Sequence, residues 1–128
     1  MSTYINTDLD LSSSADLTGL VAALESRGLF ALHVTHADDG LWHATLETAE
    51  QHSEPEPNIA AIIAAAESLP ESHRLSWHAC SRCTLDIGYE CASAPSPLHH
   101  AISNVLLARS AAVGASLAFT LYSSAAAP

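Results

Sequence analysis

The stretch Phe30-Ala-Leu-His-Val-Thr-His-Ala-Asp-Asp-Gly-Leu-Trp-His-Ala-Thr-Leu-Glu47 decides the fold. Phe30, Leu32 and Val34 alternate with Ala31, His33 and Thr35. Beyond Asp38-Asp-Gly40, Trp42, Ala44 and Leu46 alternate with His43, Thr45 and Glu47. A side-chain period of two on both sides of a glycine turn specifies an antiparallel hairpin with one face in the core and the other in water.

Upstream, Ile5, Thr7, Leu9 and Leu11 alternate with Tyr4, Asn6, Asp8 and Asp10, the pattern of a half-buried strand. Ser13-Ser-Ala-Asp16 reads as a capping box for a helix that carries Leu17, Leu20, Val21 and Leu24 and stops at Gly28. Downstream, Glu50 to Pro57 is a polar loop broken by proline. Ile59, Ile62, Ile63, Ala66 and Leu69 then mark a second amphipathic helix ending at Pro70. Leu75, Trp77 and Ala79 suggest another strand, and Leu85, Ile87, Tyr89 and Cys91 one more. Ser96-Pro97 has the chemistry of a cap and first helical position, opening a third helix with Leu98, Ile102, Val105, Leu106 and Val113 that closes at Gly114. Leu117, Phe119 and Leu121 finish on a strand, and residues 125–128 are expected to fray. The fold expected over residues 1–124 is one α+β domain, a two-layer sandwich. Its mostly antiparallel sheet of about six strands carries three helices on one face, as an extended split βαβ arrangement.

Charge narrows the function. Fourteen acidic residues face four arginines and no lysine in 128 residues, a formal −10. Such a surface repels nucleic-acid phosphate and anionic membranes and attracts basic proteins. No apolar run reaches the length of a membrane span, and the first residues lack the basic and apolar regions of a secretory signal, so a cytoplasmic location is expected. The odd set Cys80, Cys83 and Cys91 fits reduced thiols better than a disulfide framework. Protonating all eight histidines would move the charge from −10 to −2. Imidazoles ionise near pH ~6.5 in water, so binding driven by acidity should weaken as pH falls through that range.

If helices cover one face of the sheet, the other is free to bind. The period-two rule places Tyr4, Asn6, Asp8, Asp10, His33, His43, Thr45, Glu47, Ser76, His78, Asp86, Glu90, Thr120 and Tyr122 on that face. Of these, Tyr4, Asp8, Asp10, His33, His43, Glu47, His78, Asp86, Glu90 and Tyr122 are the expected partner-binding residues. A solvated sheet face must be polar in any case, so the argument rests on the sum of the charge rather than on single residues.

Chemistry beyond binding has less support. His78, Cys80 and Cys83 supply one C-x-x-C and a histidine toward zinc, but a second knuckle is missing and strand phase separates the ligands. A thioredoxin-type pair needs a helix N-terminus, whereas Cys80 and Cys83 fall between strand-like segments. No nucleophile elbow surrounds any serine, and a triad drawn from Cys83 or a serine with His78 and Asp86 has no motif behind it. Single glycines form no phosphate loop. Neither an enzyme nor a cofactor is expected.

The stretches Trp77-His-Ala-Cys-Ser-Arg-Cys-Thr-Leu-Asp-Ile-Gly-Tyr-Glu-Cys91 and Leu106-Leu-Ala-Arg-Ser-Ala-Ala-Val-Gly-Ala-Ser-Leu-Ala-Phe-Thr-Leu-Tyr122 resemble a group of small uncharacterised bacterial α+β domains. Some of that group look like immunity proteins encoded beside toxins. The shared features are a tryptophan strand, an aspartate-isoleucine-glycine-tyrosine strand, and a helix running through valine-glycine-alanine into a last strand. No catalytic residue carries over. The resemblance implies a compact inhibitor acting by surface complementarity, and nuclease toxins, being basic, suit an acidic inhibitor. The expected function is therefore neutralisation of a basic toxin or nuclease by a monomer or homodimer. The alternatives are a nucleic-acid mimic that occupies a DNA-binding groove and a metal or thiol protein centred on Cys80 and Cys83. A homodimer that buries the sheet face against its copy is opposed by like charge.

Overall fold

The computed structural model describes residues 2–92 and 96–123. In chain order the elements are β1 (Thr3–Ser13), α1 (Thr18–Glu25), β2 (Leu29–His36), β3 (Trp42–Thr48), α2 (Pro55–Glu67), α3 (Glu71–His78), β4 (Arg82–Cys91), α4 (Asn104–Ala112) and β5 (Ser116–Ser123). Among the described residues, five strands and four helices thus stand where about six and three were expected. The frayed tail at 125–128 lies outside the described residues.

The strands form one sheet in the order β2-β3-β1-β4-β5. Every neighbouring pair is antiparallel except β4 and β5, which are joined through α4 and run parallel. Because β3 is antiparallel to both β1 and β2, those two run parallel with β3 between them, the split βαβ arrangement. Leu9 and Leu11 of β1, Ala44 and Leu46 of β3, and Leu85 and Ile87 of β4 form one buried cluster with Leu20 and Leu24 of α1, Ile59, Ile62 and Ile63 of α2 and Trp77 of α3. The helices therefore lie against one face of the sheet, and among the described residues the opposite face carries none.

Local chemistry explains most boundaries. Asp16 Oδ1 accepts the Thr18 amide at 2.8 Å where α1 begins, and Gly28, at φ +93°, turns the chain into β2. In the hairpin Gly40 takes φ +84°, and Asp39 Oδ1 accepts the Leu41 amide at 2.8 Å. Pro55 sits in the first turn of α2, where a missing N–H costs nothing.

Two departures come from irregular pairing. The β1–β4 register shifts between Tyr4 and Asn6, and the β2–β3 register shifts between Ala31 and His33. One extra residue reverses the phase of a strand. Tyr4 therefore points into the core at 8% exposure while Ile5 lies exposed. Likewise Ala31 and Val34 pack on the core, and Phe30 and Leu32 are exposed.

The third departure is α3. Leu75, Trp77 and Ala79 belong to a helix and its cap rather than to a strand, and Trp77 is its one buried residue. Pro70 ends α2 and caps α3, the Arg74 amide donates to the Pro70 carbonyl at 2.9 Å, and Glu71 and His78 lie at the helix ends that favour their charges. Trp77 Nε1 donates to the Val113 carbonyl at 2.8 Å, tying α3 to the end of α4. The last helix also starts later than the Ser96-Pro97 signal. Residues 96–103 have no regular structure, and Ser103 caps α4 by accepting the Leu106 amide at 3.2 Å. No helix of the described residues is long and apolar enough to cross a membrane.

Candidate functional site

The helix-free face gathers carboxylates around its central strand. Asp8 and Asp10 project from β1. Asp86 of β4 is the register partner of Asp8, and Glu47 of β3 follows Leu46, the partner of Leu9. Three acids, from β1, β3 and β4, thus surround Asp8. Like charges opposite one another across strands destabilise a sheet. The Asp8 carboxyl is raised from 3.8 to about 6, first by its burial and then by the charges of Asp10, Glu47 and Asp86.

Neutral neighbours fix these carboxylates in place. Asn6 Nδ2 donates to Glu47 Oε2 at 2.6 Å and to Asp8 Oδ1 at 3.4 Å. Thr45 Oγ1 donates to Asp10 Oδ1 at 2.9 Å, and Thr120 Oγ1 to Asp86 Oδ1 at 2.7 Å. Arg82 Nη2 stands 3.8 Å from Asp10 Oδ2 with most of its length exposed. Such a surface pair contributes at most about 1 kcal/mol and leaves the cluster's excess charge in place. Asn6 is held from below, where Asn58 of α2 donates to Asn6 Oδ1 at 2.9 Å and to Tyr4 Oη at 2.8 Å. Tyr4 Oη also meets Thr7 Oγ1 at 2.6 Å. Two shallow depressions flank the acids. One of about 220 Å³ lies by Asn6, Glu47 and His52, and one of about 230 Å³ by Asp10, Ser12, His43 and Arg82.

The structure places Asp8, Asp10, Glu47, Asp86, Glu90, His33, His43 and Tyr122 on this face, with Thr45 and Thr120 between them. Two expected members are corrected. Tyr4 belongs to the core because of the irregularity in β1, and His78, with Ser76, lies on α3 away from the sheet. The sequence pattern did not single out Ser12, at the end of the same face, nor Asn58, an isolated polar residue in an apolar helix pattern.

His43 links Ser12 and Asp39. Its Nε2 is 2.9 Å from Asp39 Oδ2 and its Nδ1 is 2.8 Å from Ser12 Oγ. With the carboxylate accepting from Nε2–H, Nδ1 accepts the serine proton. The ring order is the reverse of the serine-hydrolase arrangement, and Ser12 sits in a central strand paired on both sides, which leaves no free pair of amides for an oxyanion. The contact anchors the hairpin turn to β1.

Cys80, Cys83 and Cys91 are free thiols. Burial pushes the Cys80 thiol up to about 11, and burial followed by the Cys80 charge pushes Cys83 up to about 12. Both are therefore poor nucleophiles at neutral pH. Among the described residues, no three His, Cys, Asp or Glu side chains converge as metal ligands would. Comparison with known proteins gives no relative: no family model matches the chain, and no curated protein and no solved structure matches it significantly.

Proposed function

We infer that this chain is an acidic protein-binding domain of the immunity or inhibitor type, whose open sheet face docks on a basic toxin or nuclease. One observation carries the reading. Asp8, Asp10, Glu47 and Asp86 converge on a face that carries no helix among the described residues, and the Asp8 carboxyl is raised by its burial first and by the other three acids after it. The fold does not require four charges there, since neutral polar residues would also solvate the face and accept the same hydrogen bonds. A cationic side chain set among the four acids would relieve their repulsion and lower the Asp8 carboxyl, so the stored repulsion becomes binding energy. The net charge of −10 adds long-range steering toward a basic partner and away from phosphate.

The test is a pull-down from the native cell lysate with tagged wild type and with a variant carrying Asp8→Asn, Asp10→Asn, Glu47→Gln and Asp86→Asn. The expected outcome is one basic protein kept by the wild type at low salt, weakened by moderate salt and absent from the variant. Equal retention by both proteins would reject this face. Competition by duplex DNA for the captured partner separates a phosphate mimic from an inhibitor that binds elsewhere on its target.

A further inference from the structure

The acidic face leaves one conspicuous surface unused. β5 is an outer strand of the sheet, and among the described residues no strand pairs with its free edge. Its pairing with β4 runs without a shift from Thr84↔Ser116 to Cys91↔Ser123, so its free edge presents an unbroken row of N–H and C=O groups. Edge strands are usually blunted by charge, proline, a bulge or a covering element. Ser116-Leu-Ala-Phe-Thr-Leu-Tyr-Ser123 has no charged residue and no proline. The helix layer stops short of it, because α4 packs on α2 rather than across β5. Phe119 at 63% and Leu121 at 67% exposure stand open on the helix side, and Tyr122 at 53% stands open on the other. Leu121 also walls a cleft of about 300 Å³ with Tyr89, Cys91, Leu98 and His100. The opposite edge, β2, differs: the shift between Ala31 and His33 breaks its ladder.

We propose that β5 pairs antiparallel with β5 of a second copy, joining two sheets into one of ten strands. Charge selects the occupant. A basic partner is matched by the acidic face and gains nothing from an uncharged apolar strand, whereas a second copy presents the same uncharged apolar strand. A twofold axis normal to the sheet gives antiparallel pairing, keeps all helices on one side, and sets residues of the same face opposite each other. Phe119 and Leu121 of the two copies then cover one another. Self-repulsion does not oppose this arrangement. At about 4.8 Å per strand the two copies of β1 lie roughly 24 Å apart and the two copies of β4 roughly 14 Å apart, against a Debye length of about 8 Å at physiological salt. Both acidic patches remain free and face the same way.

Sedimentation velocity over about 1 to 100 µM protein, a range suited to interfaces of ordinary strength, tests this. Wild type should sediment as a dimer of the 13.4 kDa chain in the upper part of the range. The double variant Phe119→Lys with Leu121→Lys should stay monomeric, and Phe30→Lys on the other edge should leave the dimer unchanged. Should the lysine variant lose its circular dichroism spectrum, Phe119→Thr with Leu121→Thr keeps strand-forming residues and should weaken association at least about tenfold. Wild type monomeric throughout, a dimer that survives the β5 variants, or one broken equally by Phe30→Lys would each overturn the proposal.

Discussion

On the proposed reading, Asp8 is the residue at which folding and binding compete. Its carboxyl lies above the ordinary value, at about 6 instead of 3.8, so the sign of its effect on stability is fixed. A raised acid contributes stability that is fully present below 3.8 and lost as pH rises through about 6. At neutral pH the ionised group therefore works against the fold. Asp8→Asn keeps the shape and removes the charge. Two pH units amount to roughly 3 kcal/mol in a fully screened-off site, and partial solvent exposure reduces this to about 1 kcal/mol. Urea denaturation should show the variant more stable than wild type by about that amount at pH 7, with the difference fading toward pH 4. The same variant should bind a cationic partner less tightly. A variant of equal or lower stability at pH 7 would mean that Asp8 is solvated and that its neighbours do not repel it. The buried Asn58 belongs to this competition as well. By holding Asn6 from the core side it keeps the amide aimed at Glu47 and Asp8.

At the scale of elements, α4 makes a sharp prediction about where a helix begins. Ser96-Pro97 carries the stronger local signal, yet Ser103 is the cap. Ser103→Ala should cost about 1 kcal/mol in a denaturant melt, and Ser96→Ala should change stability by no more than a few tenths of that. Equal losses at the two sites would place the start of the helix at Ser96. The reason the sequence misled here is general to this chain. Long periodic segments were readable: the hairpin around Gly40, α1 and β4 lie where the spacing of Leu, Ile and Val puts them, while α2 opens at Pro55, inside the stretch read as a loop. A cap signal without a following burial pattern was not decisive, because Leu98 is exposed and only Leu106 and Ser110 of α4 are buried. Alternation over Leu75, Trp77 and Ala79 was too short to separate a strand from a helix with one buried residue, and Pro70 with Glu71 was the better signal. Strand phase failed where an extra residue entered the ladder, at Ile5 and at Leu32, since a bulge leaves no mark in hydrophobic alternation. The acidic cluster was legible for the opposite reason: Asp8, Asp10, Glu47 and Asp86 all lie in regular stretches of ladder, where counting by two holds.

For the whole molecule, charge sets how binding should respond to pH. Bringing a cationic surface onto the sheet face favours every ionised acid there and disfavours protonated histidine. Asp8 lies between Asp10, Glu47 and Asp86, with Arg82 near Asp10 and with His33 and His43 toward the hairpin. Below about pH 6 much of Asp8 carries a proton that must leave when the partner arrives. Affinity must then rise with pH, by up to about tenfold per pH unit for each proton released. Calorimetric titration of the captured basic partner between pH 5.5 and 7.5, in buffers of different ionisation enthalpy, measures both the affinity and the proton count. Wild type should bind more weakly at the acidic end and release protons on binding. Asp8→Asn should bind more weakly at pH 7.5 with a shallower pH dependence, because one of the releasing groups is gone. An affinity that stays flat across this range, with no proton release, would move the interface away from the acidic face and leave the convergence of four carboxylates without a role in binding.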